Sequence, residues 1–173
     1  MVMNFLRNHK VAAGILTFLR VYLGWKWLTG GWGKITGEPF SAAGYLNNAV
    51  ANPVVSHGEV VYPNYVSFLE KFAIPSADIF SFMVAWGEFL VGLGLILGVL
   101  TTYAAFFGVV MNFSFMFAGT ISTNPWMILI AFFILAAGYN AGRFGGDRWV
   151  MPYLKGLIFK NKVEATNNKK FAA

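Results

Sequence analysis

Four polar side chains stand in or beside otherwise apolar runs: Arg20, Lys34, Glu88 and Asn112. Glu88 lies near the middle of SFMVAWGEFLVGLGLILGVL, residues 81–100, a stretch apolar enough to sit in hydrocarbon. A carboxylate there can exchange protons if its surroundings set its ionisation. Arg20, Lys34 and Asn112 can donate hydrogen bonds to a carbonyl or an anion. Trp27 and Trp86 offer faces on which a flat ring could stack. An isolated charge costs about 2.5–3.5 kcal/mol at a helix centre on insertion scales, and intramembrane ionisable residues are functional candidates by default. A pair largely removes the objection, so the sequence predicts an Arg20–Glu88 ion pair.

Four segments of roughly the 20 residues needed to cross a bilayer must position these groups. They fall at about 11–30, 78–100, 102–119 and 124–142. Arg20 then lies about eight residues from the outer end of the first span and Glu88 about ten from the outer end of the second. At 1.5 Å per residue both sit about 12–15 Å deep on antiparallel helices. Gly24, Trp27 and Gly31 follow Arg20 at helical spacing, and Gly92 and Leu95 follow Glu88. Gly87, Gly94 and Gly98 form a neighbouring small-residue stripe, of the kind that lets helices approach closely. Asn112 shares a face with Gly108, Met116 and Gly119, slightly nearer the outer side. The connections after the second and third spans are short, which makes spans two to four antiparallel neighbours, and Asn124–Pro125 suits the start of the fourth.

Composition agrees with a membrane protein: 57% of the 173 residues are hydrophobic, 18% aromatic and only 12% charged, where soluble domains run near a quarter charged. The length suits one membrane domain without a separate soluble catalytic domain. No cysteine is present, which removes disulfides, thiolate metal sites and thiol chemistry on this chain; no metal site is expected. The net charge of +6 comes from basic residues near both ends, so it reads as topology rather than nucleic-acid binding. Arg7 and Lys10 precede the first span. Arg143, Arg148, Lys155, Lys160, Lys162, Lys169 and Lys170 follow the fourth, while the outer segments carry only Lys34 and Lys71 against Glu38, Glu59 and Glu70. The positive-inside rule places both termini in the cytoplasm. Trp25, Trp27, Trp32 and Trp126 would form an outer aromatic belt. Arg20 and the missing cleavage site make the first apolar run a retained helix rather than a signal peptide.

The outer segment, about 31–77, should hold two short interfacial helices. One starts at Pro39, and the other places Tyr65, Phe68, Leu69 and Phe72 on one face. The tail from about 143 should begin with an inner interfacial helix bearing Trp149, Tyr153, Leu157 and Phe159. The expected fold is an all-α integral membrane four-helix bundle with short interfacial helices.

LRVYLGWKWLTGGWGK, GEFLVGLGLILGVLT and STNPW…AGYNAGRFGGDRWVMP resemble the DoxX/DoxD family of small bacterial four-helix membrane proteins. The resemblance rests on Arg20, G-x-x-K ending at Lys34, Glu88 with G-L-x-L-G, Asn124-Pro125 and Asp147 in G-x-D-R. It implies a membrane subunit of an oxidoreductase. Some members are DoxD-type subunits of thiosulfate:quinone oxidoreductase, and others are linked to oxidative stress or detoxification. By resemblance, Arg20, Lys34 and Glu88 match the family's charged positions.

Three functions remain open on the sequence. The first is a quinone-linked membrane oxidoreductase subunit of the bacterial plasma membrane. In it Glu88 and Arg20 would be catalytic, Lys34, Asn112, Trp27 and Trp86 would bind substrate, and quinone would be a diffusible substrate with no covalently bound cofactor. No flavin or dinucleotide fingerprint is present, so the chemistry would need a second oxidoreductase subunit or a quinone acting directly, and a homo-oligomeric assembly is expected. The second is permeation of a small anion or weak acid. The third is a non-catalytic scaffold that recruits partner proteins, with the charged residues only setting helix register.

Overall fold

Each long helix buries one stripe in which small and polar residues sit among a few large apolar ones, and turns most of its bulky apolar residues outward. In a computed structural model that describes residues 1–37 and 40–156, α1 (Val2–Asn8) breaks at His9, whose imidazole accepts from the Val11 amide and caps α2 (Lys10–Thr36). The buried stripe of α2 is Leu16, Arg20, Leu23, Gly24, Trp27 and Gly31, at the three- and four-residue spacing of one helix face. α5 (Ala77–Leu97) buries Ala85, Glu88, Val91, Gly92 and Leu95. α6 (Thr101–Phe117) buries Thr101, Ala105, Gly108 and Asn112, and α7 (Asn124–Ala137) buries Met127, Ala131 and Ile134. The outward residues include Phe18, Trp25, Trp32, Phe82, Phe106, Trp126 and Phe132. Such a continuous exposed aromatic and aliphatic surface is unlike that of a soluble monomer.

α2 packs against α5 and α7, and α6 packs against α5 and α7, so the four helices close on themselves. The α2–α5 seam is the tightest. A methyl group on Gly31 would strike the Phe89 backbone, one on Gly92 would strike the Leu28 backbone, and one on Gly24 would lie 2.9 Å from the Gly92 carbonyl oxygen. These glycines let two backbones touch. Gly87 and Gly94 instead face α6, against Met111 and Ala104. Gly98 is no part of a helix-crossing stripe: at φ +65° it is the left-handed cap that ends α5, a conformation that suits glycine.

α5 and the Asn124–Gly142 stretch are each long and apolar enough to cross a membrane, while α6 is apolar but shorter. α2 falls short of that hydropathy because it carries Arg20, Lys26 and Lys34. It also runs six residues past the expected end at 30, to Thr36. That extension shifts the level of every residue on it relative to α5.

The segment between α2 and α5 packs over one end of the closed group, the loop end. α3 (Ala42–Ala51) starts after the Ser41 cap rather than at Pro39, which lies outside the described residues. A small antiparallel hairpin, Val55–Ser56 with Glu59–Val60, turns through His57 and Gly58 at positive φ, as a two-residue hairpin turn requires. α4 (Pro63–Phe68) runs on into one wider π turn, Leu69–Ala73. The face expected from Tyr65, Phe68, Leu69 and Phe72 is split, with Leu69 and Ala73 buried and Phe68 and Phe72 exposed; Phe68 and Leu69 are neighbours about 100° apart around the helix, so one can turn inward while the other turns out. Leu46, Ala49, Leu69, Ala73 and Ala118 form a second small core there. The Tyr45 hydroxyl donates to the Phe115 carbonyl and the Tyr65 hydroxyl to the Ser114 carbonyl, tying this cap to the end of α6. Burial pushes both phenols up from their usual range, against the opposing hydrogen bonds to Thr120 and Ser114.

At the opposite, terminal end, α7 passes into a 3-10 turn, Gly138–Gly142, and residues 147–156 form α8. The Asn140 amide donates to the carbonyls of Leu6 and His9, fastening the α1–α2 break. Trp149 and Tyr153 are exposed on α8; Leu157 and Phe159 lie outside the described residues.

Candidate functional site

The polar residues form two separate centres, one near each end of the packed helices. Glu88 is near the middle of the 21-residue α5. Its Oε2 accepts from the Lys34 ammonium at 2.6 Å. The Glu88 side chain is 6% exposed and that of Lys34 27%, so the pair is closed on the carboxylate side and opens at the ammonium. Gly30 makes room for it, since a methyl group there would lie 3.0 Å from Oε2. Phe40 sets its ring 5.4 Å from the Lys34 nitrogen, a cation–π distance.

Asn112 and Trp27 lie inward of this pair. Gly108 on α6 faces Trp27 on α2 and Val91 on α5: a methyl group there would sit 3.1 Å from Trp27 Nε1 and 3.3 Å from Val91 Cγ1. One turn toward the loop end, Asn112 follows Gly108 on α6, and Glu88 precedes Val91 by three residues on α5. Asn112 and Glu88 are therefore placed on inward faces at similar height. Asn112 is fully buried and Trp27 is 4% exposed. Neither amide atom of Asn112, nor Trp27 Nε1, has a hydrogen-bond partner among the described residues.

Arg20 belongs to the other centre. Its Nη1 donates to the carbonyls of Leu95, at 2.8 Å, and Ile96, at 3.4 Å, at the last turn of α5. A cation at a helix C-terminus satisfies carbonyls that have no helical partner and complements the dipole. Asp147, at the start of α8, does the converse for α6, accepting from the amides of Leu100 at 2.6 Å and Thr101 at 3.1 Å. The Gly146 and Asp147 amides donate to Leu97 and Gly98. Arg20 and Asp147 thus clamp the α5–α6 turn from its two sides.

The expected Arg20–Glu88 ion pair is not formed. Among the described residues, Glu88 pairs with Lys34. Gly31 meets Phe89 and Ala85, whereas Arg20 meets Gly98, so some ten residues of α2 separate the two levels, roughly 15 Å at 1.5 Å per residue. Two causes combine. α2 is longer than expected, and helical side chains lean toward their own N-terminus, which on antiparallel helices carries Arg20 and Glu88 apart. Trp86 is also outside the site, on the outer face of α5 beside Phe82 and Phe89. Trp27 is a buried residue and not part of the exposed belt formed by Trp25, Trp32 and Trp126.

The structure therefore brings Glu88 to Lys34, places Asn112 and Trp27 on neighbouring inward faces, and sets Arg20 and Trp86 apart. Sequence reasoning missed the role of Gly108, although its four-residue spacing from Asn112 was visible, and the capping role of Asp147. An apolar groove of about 390 Å³ runs along the outside of the α2–α5 seam, lined by Trp25, Leu28, Thr29, Trp32, Phe89 and Leu93. Among the described residues no cluster of histidines and carboxylates could hold a metal ion.

Closely packed helices with a few buried polar side chains in the core and a broad apolar exterior define the class, a small helical membrane protein. The DoxX family model matches residues 15–121, and the chain belongs to the DoxX family. The match runs from within α2 past the end of α6 and includes Arg20, Lys34, Glu88 and Asn112. No curated protein and no solved structure was found to match the chain.

Proposed function

We propose that the chain is an integral membrane four-helix bundle, with α2, α5, α6 and α7 crossing the bacterial plasma membrane and both termini in the cytoplasm, and that it is the quinone-reactive subunit of an oxidoreductase. The observation that carries this reading is the pairing of Glu88, at the middle of the apolar helix α5, with Lys34 of α2, beside Asn112 and Trp27 groups on neighbouring inward faces that have no partner among the described residues. Basic residues at the terminal end support the orientation.

Reduction of a quinone takes two electrons and two protons. A partner subunit supplies the electrons. Glu88 in its acid form gives the first proton to the quinone, recovers one from water along the Lys34 side, where the pair opens beneath Phe40, and gives that as the second. Lys34 holds the carboxylate in place and balances its charge between turnovers. Trp27 and Asn112 donate hydrogen bonds to the head group. Arg20 serves the α5–α6 turn and not the reaction. The aromatic groove along α2 and α5 suits an isoprenoid tail lying at the lipid boundary.

Photolabelling of the protein in lipid nanodiscs with an azidoquinone tests the site. The reading predicts labelled peptides from the inward faces of α2, α5 and α6, suppressed by excess unlabelled quinone. Labelling confined to lipid-facing residues and indifferent to competitor would reject it.

A further inference from the structure

The terminal end of the molecule holds positive charge in place without a matching negative charge. Arg7, at the end of α1, donates from Nε to the Ala136 carbonyl of α7 at 3.0 Å. Arg143, just past the 3-10 turn, donates from Nη1 to the Asn8 carbonyl at 3.4 Å. Asn140 lies between Ala136 and Arg143 in the chain and binds the Leu6 and His9 carbonyls, so both arginines belong to the joint between the α1–α2 break and the end of α7. A guanidinium has five N–H donors, and among the described residues each arginine uses a single one and forms no ion pair. The carboxylate described at this end, Asp147, is 3% exposed and is occupied by the Leu100 and Thr101 amides.

Arg148 and Lys155 are exposed on α8, as are Trp149 and Tyr153, and Phe144 is exposed just before the helix. Trp and Tyr favour the headgroup level of a bilayer, and basic residues at that level attract anionic lipid. We infer that the terminal end is a docking surface for anionic phospholipid, with headgroup phosphates taken by the guanidinium groups of Arg7 and Arg143; this rests on the membrane placement proposed above and is separate from the quinone site. The hydrogen bonds to Ala136 and Asn8 order both side chains before a lipid arrives, so less freedom is lost on binding. The free edge of a guanidinium matches a phosphate with two parallel hydrogen bonds. Lipid held there braces the joint at which α1, α2 and α7 meet.

The test is native mass spectrometry of the full chain from detergent micelles, titrated with dioleoyl phosphatidylglycerol and, separately, with dioleoyl phosphatidylcholine. The acyl chains are identical, so the difference reads headgroup charge. A basic residue near an anionic surface contributes roughly fivefold, so the wild type should prefer phosphatidylglycerol by about tenfold or more. Arg7→Gln and Arg143→Gln keep an N–H for the carbonyl but should each remove about fivefold of that preference. Arg7→Lys and Arg143→Lys, which keep the charge, should retain most of it, and Lys71→Gln at the loop end should leave it unchanged. Melting temperatures without added lipid confirm that the variants fold. Equal wild-type affinities for the two lipids, a preference that survives both glutamine substitutions together, or an equal loss in Lys71→Gln would overturn the docking surface while leaving the membrane placement and the quinone-linked reading standing. A chain that stays monodisperse without detergent and binds neither lipid would remove the membrane placement, and the surface with it.

Discussion

The Lys34 ammonium and the Glu88 carboxylate meet at 2.6 Å across the α2–α5 seam, at a point where Gly30 and Gly31 let the two helices touch. The contact gives Glu88 a partner within an apolar helix without help from Arg20. It also divides the charged residues into two sets with different tasks.

Removing one partner should therefore hurt more than removing both. Lys34→Met leaves a buried carboxylate uncompensated and should cost about 3 kcal/mol, the low end of the range because Lys34 is partly exposed. Lys34→Met combined with Glu88→Leu should recover most of it. Urea or thermal unfolding in detergent micelles measures both; a double variant no more stable than Lys34→Met would show that the pair is not the main interaction at this point.

The two charge centres should be energetically independent. Arg20→Lys and Glu88→Gln are separated by some ten residues of helix, and effects of distant sites add within about 0.5 kcal/mol. A double-mutant cycle on stability should return no coupling for Arg20 with Glu88 and a clear coupling for Lys34 with Glu88. The reverse pattern would restore the pairing that the sequence suggested.

Much of the architecture was legible because it depends on periodicity. The helices α5, α6 and α7 fall within a few residues of the expected spans, and the Gly24, Trp27, Gly31 and Gly92 faces do meet. Pairing was not legible, because it depends on register. A span read as ending near 30 instead continues to Thr36, and that shift moves Arg20 from the level of Glu88 to the end of α5. The hairpin at His57–Gly58 escaped notice for a local reason: His57 adopts positive φ without the Asn-Gly signature that marks such turns. Asp147 was visible as a motif residue, but its capping of α6 depends on contacts 46 and 47 residues away.

Backbone contact at the seam makes glycine substitutions position-specific. Gly31→Ala and Gly92→Ala place a methyl group against the facing backbone and should destabilise by several kcal/mol. Gly14→Ala and Gly33→Ala meet nothing within 4 Å and should be neutral or stabilising, by up to about 1 kcal/mol. Melting temperatures of the four single variants distinguish the groups, and equal losses at all four would contradict the packing described.

The cap over the loop end should loosen in alkali. Burial raises the Tyr45 and Tyr65 phenols above their ordinary values, so the folded state holds their protons more tightly than the unfolded state. Their contribution is complete below about pH 10 and is lost as pH rises through the folded values. Tyr65→Phe should be less stable at neutral pH and should lose less on going to high pH. A parallel fall in the two proteins, followed by circular dichroism, would count against the contribution of this phenol.

The central claim is that Glu88 carries the proton for quinone reduction while Arg20 serves the fold. The direct measurement is the rate of donor-dependent quinone reduction by the protein with its co-purifying partners in proteoliposomes, comparing wild type, Glu88→Gln and Arg20→Lys. Loss of a general acid should lower the rate by about 10²-fold or more in Glu88→Gln, with Arg20→Lys close to wild type once corrected for folded protein. An undiminished rate in Glu88→Gln would contradict the account.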